Sequence, residues 1–465
     1  MRVAIIGSGY VGLIAAACFA DMGHKVISVD NDSEKVSGLL HGEIPIYEQF
    51  LPELLARNSG QRLTFTTDLR QAVRNSSVIF IAVGTPAAET GEADLSFVES
   101  VSQEIAHAID EYKIVVEKST VPVYTCEWIR RIISLNAVSA EFDVASNPEF
   151  MREGTAVTDF LYPDRIVIGA DTERCSAVLR ELYAPLLDGS YYRQEHAIPK
   201  PDSSRVAPPL VLTTAKSAEL IKHACNAFLA TKISFINAVA HICELVEADI
   251  DQVREGIGSD SRIGPGFLRP GIGYGGSCFP KDLAAFQSIA RDSGYDFRLL
   301  AEVARVNQEQ RQRFLRKIRK ALWTLKGKRL GVLGLAFKGG TDDIRESPAI
   351  AIIEALLKEG SEVVAYDPAA TDRAREILRH GRISFVANVA ETAREADALL
   401  ILTDWEEFGA LDLVALRPLM RYPTIIDGRN LYTPEFMAER GFTYYSVGRH
   451  VAKVHQPLAA QKQKA

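Results

Sequence analysis

The sequence predicts an α/β protein in which two doubly wound parallel-sheet domains are joined by a long central helix. Three observations carry this. Residues 2–6 (Arg-Val-Ala-Ile-Ile) are an apolar run that enters Gly7-Ser8-Gly9-Tyr10-Val11-Gly12 and then an apolar helical stretch to Met22, the strand–turn–helix order that opens a βαβ unit. A second strand running into a glycine turn, Arg329-Leu330-Gly331-Val332-Leu333-Gly334, begins after Lys328 and weakly echoes the first. From about Ser217 to Glu247 there is no glycine or proline, a length that suits a helix connecting two domains and offering a face to a partner subunit.

The other elements follow in order. Lys25–Val29 is a second strand ending at Asp30, and further strands are expected at Val78–Val83 and Ile114–Glu117, with helical stretches such as Leu95–Asp110 between them. Such alternation means a parallel sheet covered by helices on both faces. Val144–Ala145 and Ile166–Ile168 read as later, shorter strands of the same unit. Near 197–209 the pattern stops in a polar, proline-rich linker or exposed loop. In the C-terminal half, Ser347-Pro348 reads as a helix N-cap with proline at the first helical position. Val363–Tyr366 followed by Asp367 repeats the strand-then-acid ending of Asp30, and Ala398–Leu402 and Thr424–Ile426 supply more strands. The expected division is 1–205, 206–315 (a central helical segment) and 316–465, with the last residues a frayed tail.

Composition narrows the class. Apolar content of 47% and charged content of 24% are those of a soluble globular protein, and a net charge of −7 gives no reason to expect a nucleic-acid or acidic-membrane partner. The first twenty residues superficially mimic a leader, but glycines break the apolar run and no small-residue cleavage site follows. Cysteines 18, 126, 175, 225, 243 and 278 show neither metal-like pairs nor a disulfide framework, so a reducing cytoplasm and no metal are expected.

The motifs carry the chemistry. In Gly7-x-Gly9-x-x-Gly12 the first glycine allows the tight turn, the second lets the backbone approach a pyrophosphate, and the third lets helix and strand pack closely. Asp30 is placed to bond a ribose 2′-hydroxyl and to repel a 2′-phosphate, which favours NAD over NADP. Val83-Gly84-Thr85-Pro86 and Lys118-Ser119-Thr120-Val121-Pro122 close strands where open sheets bind ligands, although ordinary turn chemistry explains them equally when taken alone. Glu149 and Glu153 share a face if the chain turns helically after Pro148, where they could position a water; a surface turn is the alternative. Lys222 and Asn226, four apart on the long helix, form a clamp for a developing oxyanion or a solvated helix face. Around Cys278, glycines 271, 273, 275 and 276 let the backbone approach a ligand. Pro280 suits a new helix, whose N-terminus stabilises a thiolate, and Asp282 sits one turn on, close enough to orient a water.

Together these runs resemble the nucleotide-sugar 6-dehydrogenases, the UDP-glucose/GDP-mannose dehydrogenase family. The matching segments are 7–12, 83–86, Glu-Lys-Ser-Thr-Val-Pro (117–122), Ser-Asn-Pro-Glu-Phe-Met-Arg-Glu-Gly (146–154), Ser-Ala-Glu-Leu-Ile-Lys (217–222), 226–237, Gly-Tyr-Gly-Gly-Ser-Cys-Phe-Pro-Lys-Asp (273–282), Phe-Lys (337–338) and Asp-Ile-Arg-Glu-Ser-Pro (343–348). They span residues 1 to about 445 in family order. The resemblance implies a Rossmann-like NAD domain, a central long helix and a second Rossmann-like domain holding UDP. It also implies a homodimer or higher homo-oligomer and a four-electron oxidation of a sugar C6 alcohol to a carboxylate. In that reaction Cys278 would form a thiohemiacetal and then a thioester. Lys222 and Asn226 would stabilise the oxyanion, Asp282 would assist proton transfer, and Thr120 and Glu153, with Glu149 nearby, would hold a water. By the same resemblance Tyr10, Val11, Asp30, Lys35, Thr85, Thr120, Glu153, Lys281 and Arg345 would contact NAD. Glu149, Phe150, Met151, Arg152, Glu153, Phe267, Leu268, Arg269, Pro270, Gly271, Gly275, Phe337, Lys338 and Arg429 would line the sugar-nucleotide site, and Arg262 would reach a neighbouring subunit's.

Two departures stand out. The segment from about Tyr191 to Pro209 is longer and more proline-rich than the family's usual connection, and Met151 replaces a more usual leucine, a volume-conserving change. Segments 263–268 and 277–282 look like the branch that acts on UDP-glucose. Siblings using GDP-mannose or a UDP-N-acetylhexosamine, a two-electron alcohol dehydrogenase and a non-catalytic NAD-responsive protein are the competing readings.

Overall fold

A computed structural model describes residues 1–86, 93–137, 141–201 and 207–452. They form two compact units, Met1–Asn226 with Lys281–Asp296, and Ala227–Pro280 with the chain from Phe297 on. The division falls within the long helix Ala215–Val246 and in the first turn of the helix Phe279–Asp292.

In the first unit, strands β1 (Arg2–Ile6), β2 (Lys25–Val29), β3 (Leu63–Thr66), β4 (Val78–Ile81), β5 (Lys113–Glu117), β6 (Phe142–Ser146), β7 (Ile166–Ala170) and β8 (Leu210–Thr213) form one sheet in the order β3-β2-β1-β4-β5-β6-β7-β8. The apolar run of β1 has no polar alternation because both its faces are covered. Val3 and Ile5 pack with Leu13 and Phe19 of the helix Tyr10–Asp21, while Ala4 and Ile6 pack with Ile105 and Ile129 on the other face. Expectation and structure differ at β6 and β7. They are five residues each and run antiparallel (Ala145 opposite Gly169), a pairing that short apolar runs do not specify. Strands β3 and β8 were also not expected; both are four residues long and β8 is half-exposed, so neither leaves a buried-strand pattern in the sequence.

In the second unit, β9 (Arg329–Leu333), β10 (Glu362–Tyr366), β11 (Ile383–Phe385), β12 (Ala398–Ile401), β13 (Thr424–Asp427) and β14 (Thr443–Tyr445) form an all-parallel sheet in the order β11-β10-β9-β12-β13-β14. Ser347 precedes the helix Pro348–Lys358 as expected, but its hydroxyl donates to the Leu335 carbonyl at 2.8 Å instead of capping the helix. The long helix is apolar enough by length and composition to cross a membrane. In this unit it leaves Phe228, Phe235 and Ile242 exposed at seven-residue intervals. In the segment 191–209, Tyr191 is fully buried and donates to Asp21 at 2.8 Å. Residues 202–206, and the tail from 453, lie outside the described residues.

Candidate active site

The glycine turn of the first unit is shaped by contacts that admit no side chain. Gly7 has φ +100°, and a Cβ on Gly12 would lie 1.8 Å from the Gly7 carbonyl oxygen, whereas one on Gly9 would meet nothing within 4 Å. The backbone at Gly9 is therefore open for a ligand while its neighbours are locked to the sheet. Asp30, buried at the end of β2, accepts from the Ser8 amide at 2.8 Å, the Asp32 amide at 3.1 Å and Lys35 Nζ at 3.0 Å. Val11 lies in the helix's first turn, and Tyr10 donates to Glu48.

At the carboxyl ends of β4 and β5, the Thr85 hydroxyl donates to the Thr120 carbonyl at 2.9 Å and accepts from Lys281 Nζ at 3.2 Å. Three residues expected to contact the cofactor thus meet. After β6 the chain does not turn helically, and Glu149 and Glu153 share no helix face. Pro148 favours extended backbone before it, and packing decides the rest. Glu149 instead accepts from the Met151 amide and pairs with Lys222 at 2.6 Å, both side chains buried. Burial opposes the charge on Glu149, but Lys222 and its hydrogen bonds outweigh it and hold the carboxyl below its usual range. Glu153 belongs to the Tyr10–Glu48 neighbourhood, where its charge adds to the upward shift of the Tyr10 phenol that burial begins. The ring of Phe150 lies under the Arg165 guanidinium at 3.7 Å and the Lys222 ammonium at 5.7 Å. Met151 packs against the core, and Arg152 forms a forked pair with Asp159 at 2.6 and 3.0 Å.

The long helix presents Lys222 and Asn226 on one face, as their spacing requires. Each has a separate carboxylate: Asn226 Nδ2 donates to Asp282 Oδ2 at 2.5 Å, within the same unit. Asp282 is almost fully buried, and its Oδ1 has no hydrogen-bond partner.

In the second unit, residues 267–278 form an irregular loop ending immediately before the helix Phe279–Asp292. Phe267 has φ +62°, Leu268 and Pro270 are buried, and Arg269 is exposed. The Gly271 amide donates to Asn237 Oδ1 at 2.8 Å and its carbonyl accepts from Gln310 at 2.7 Å. A Cβ on Gly275 would fall 2.2 Å from the Glu346 carbonyl oxygen, so only glycine permits that approach. Arg429, half-buried, donates to the carbonyls of Leu402 at 2.9 Å and Phe337 at 2.6 Å, with Lys338 next to Phe337 in the chain. Arg345 is forked onto Asp343 and Arg262 onto Asp260. Of the six cysteines, Cys278 alone is exposed.

Several residues that matter here left no signal in the sequence. Glu48 accepts from the Gly154 amide at 2.7 Å and the Ala156 amide at 2.8 Å, tying the 147–156 loop to the glycine turn through Tyr10. Burial raises its pKa. Lys118, buried and pushed down to about 8 chiefly by desolvation, donates to Asn147 Oδ1 at 2.9 Å. His223 donates to the Val121 carbonyl at 2.8 Å. Only the run 117–122 drew attention to Lys118; nothing local marks Glu48 or His223.

Comparison with known proteins matches three models of the UDP-glucose/GDP-mannose dehydrogenase family, for its NAD binding domain (residues 1–187), central domain (216–309) and UDP binding domain (331–434). The UDP-glucose 6-dehydrogenase TuaD of Bacillus subtilis is 44% identical over 458 residues, covering 98% of this chain and 95% of that protein. The UDP-glucose 6-dehydrogenase of Rhizobium meliloti is 46% identical over 454 residues, covering 97% and 100%. Among solved structures, a UDP-glucose dehydrogenase from Pyrobaculum islandicum superposes with a TM-score of 0.85 at 36% identity, covering 96% of this chain and 98% of that one.

Proposed function

The chain belongs to the UDP-glucose/GDP-mannose dehydrogenase family, and on that premise we propose that it oxidises the C6 alcohol of UDP-glucose to the carboxylate of UDP-glucuronate, consuming two NAD and one water. It is an NAD-dependent oxidoreductase. The residues fit that cofactor: the backbone at Gly9 is open, and Asp30 retains acceptor capacity at the end of β2. NAD, when bound, supplies the hydride acceptor for each of the two oxidation steps.

The observation that carries the reading is Cys278, the one exposed thiol, placed at the end of a glycine loop and directly before a helix. Its thiolate adds to the C6 aldehyde, forming a C–S bond and a thiohemiacetal whose oxygen takes the displaced electron pair; oxidation then leaves a thioester. Water attacks the thioester carbon, the C–S bond breaks, and the thiolate departs. Asn226 and Lys222 hold the oxyanion, and Asp282 takes the proton from the attacking water. Thr120 and Glu153 hold that water, and Glu149 keeps Lys222 charged. Gly271, Gly275, Phe337, Lys338 and Arg429 grip the sugar nucleotide with the 267–270 segment, and Arg262 serves a neighbouring subunit. The exposed Phe228, Phe235 and Ile242 support a homodimer through the long helix, and six cysteines outside any disulfide support a cytoplasmic setting.

The deciding experiment is NADH formed per mole of limiting UDP-glucose. Two equivalents are expected. One equivalent overturns the four-electron reaction, and turnover of GDP-mannose but not UDP-glucose overturns the choice of sugar nucleotide. Cys278→Ser should bind both nucleotides and lose at least about 1000-fold in turnover, since the nucleophile is gone. Near-normal turnover in that variant refutes the covalent route.

A further inference from the structure

His223 has no part in the reaction as set out, yet it lies among the groups that do. It is 1% exposed, on the long helix within the first unit. Its Nε2 lies 2.8 Å from the Val121 carbonyl, which can only accept, so Nε2 carries the hydrogen and a neutral ring has a bare Nδ1. That Nδ1 is buried and has no hydrogen-bond partner.

The register of two helices shows what the ring faces. Asn226, one turn after His223, donates to Asp282 Oδ2 at 2.5 Å. Phe286, one turn after Asp282, has its ring centroid 6.0 Å from that of His223. The pair 223/226 therefore packs on the pair 282/286. Asp282 Oδ1 is the second buried acceptor here without a partner. Both atoms lie on the two helix faces that Asn226–Asp282 and His223–Phe286 bring together, and each is a buried acceptor that a donor would relieve. The charges that bear on the ring are Asp282 and Lys281 from one helix and Lys222 from its own. Burial, with smaller contributions from the two lysines, lowers the His223 pKa against the Val121 hydrogen bond and then Asp282, which raise it, so the ring is neutral at pH 7.

Resting on the proposed role of Asp282, we propose that His223 is a positioning residue: its Nε2–H fixes the Thr120–Val121 turn, and protonation of its Nδ1 directs an N–H at Asp282, switching that carboxylate off as a base. The step moves one proton from solvent to Nδ1 and makes or breaks no other covalent bond. The acid limb of kcat then reports the protonation of His223.

The tests separate this from the reaction itself. Gln at 223 retains an amide N–H for Val121 but cannot titrate; Leu has neither property. For His223→Gln, KM values within about 2-fold of wild type and an acid limb of kcat moved to lower pH are expected. For His223→Leu, kcat should fall about 10-fold at every pH, the loss of one positioning hydrogen bond. An unchanged acid limb in the first variant, or an unchanged kcat in the second, overturns the proposal. A protein-only readout is the imidazole NMR titration of His223, assigned by its loss in His223→Gln. The midpoint should move to lower pH in Asp282→Asn, and an identical midpoint overturns the coupling. If the enzyme makes no UDP-glucuronate, the proposed reaction fails, but this titration still decides the His223–Asp282 link.

Discussion

Each sheet ends its second strand on an aspartate, and the two aspartates are used differently. Asp30 follows β2 and accepts the Ser8 and Asp32 amides and the Lys35 ammonium. Asp367 follows β10 and accepts the amides of Leu335 at 2.7 Å, Ala336 at 3.1 Å, Ala369 at 3.0 Å and Ala370 at 2.8 Å, with the Trp405 indole N–H at 3.2 Å. Five donors fill the roughly four acceptor sites of a carboxylate, so Asp367 is committed to its own loops, while Asp30 retains room for a ribose hydroxyl. The turns beside them diverge likewise. Gly7 and Gly334 have φ +100° and +101°, but a helix begins at Tyr10 in the first unit and only at Pro348 in the second. Shared topology leaves the choice between scaffold and ligand site to the hydrogen bonds at the strand end.

The largest contrast is in stability. Asp367→Ala strands five buried or half-buried N–H groups and should cost about 3 kcal/mol or more, a fall of roughly 6–12 °C in melting temperature. Asp30→Ala strands one buried and one half-buried amide and should fall by less, roughly 2–6 °C; equal losses in calorimetry would erase the distinction. In binding, the order reverses. Asp30→Ala should weaken NAD by about 10–100-fold, the worth of a charged hydrogen bond, and leave UDP-glucose affinity unchanged by titration calorimetry. Equal loss of both ligands would mean that the first unit had unfolded.

The smallest contrast concerns buried acids. Glu117, at the end of β5, is pushed up to about 8, mainly by desolvation, and its Oε2 has no partner. Asp427, in the second unit, is also raised by burial but accepts the Tyr444 hydroxyl and the Arg429 and Leu431 amides, each at 2.7 Å. Because the folded pKa of Glu117 is raised, its contribution to stability is full below its unfolded value near 4.5 and is lost as pH rises through about 8. Glu117→Gln should therefore gain about 2–4 °C over wild type at pH 8 and nothing at pH 5. Asp427→Asn should gain nothing at either pH, and matching melts for the two variants would show that partners do not matter here.

Much of the site can be read from contiguous residues. The run 7–12 constrains its own backbone, and the long helix follows from a stretch without glycine or proline. Spacing also put Lys222 and Asn226 on one face. It misled at Glu149 and Glu153, because Glu149 pairs instead with Lys222, 73 residues away, and the segment after Pro148 is held by such distant contacts.

The sequence by itself determined the two sheets, the glycine turn, the long helix and the position of Cys278 before a helix, all consequences of local periodicity and of glycine and proline sterics. Only the tertiary structure decided that Glu48 binds the Gly154 amide 106 residues on, that His223 holds Val121 across 102 residues, and that β7 runs antiparallel to β6. Such pairings depend on which surfaces meet when the chain packs, and a buried polar atom takes whatever partner that packing supplies.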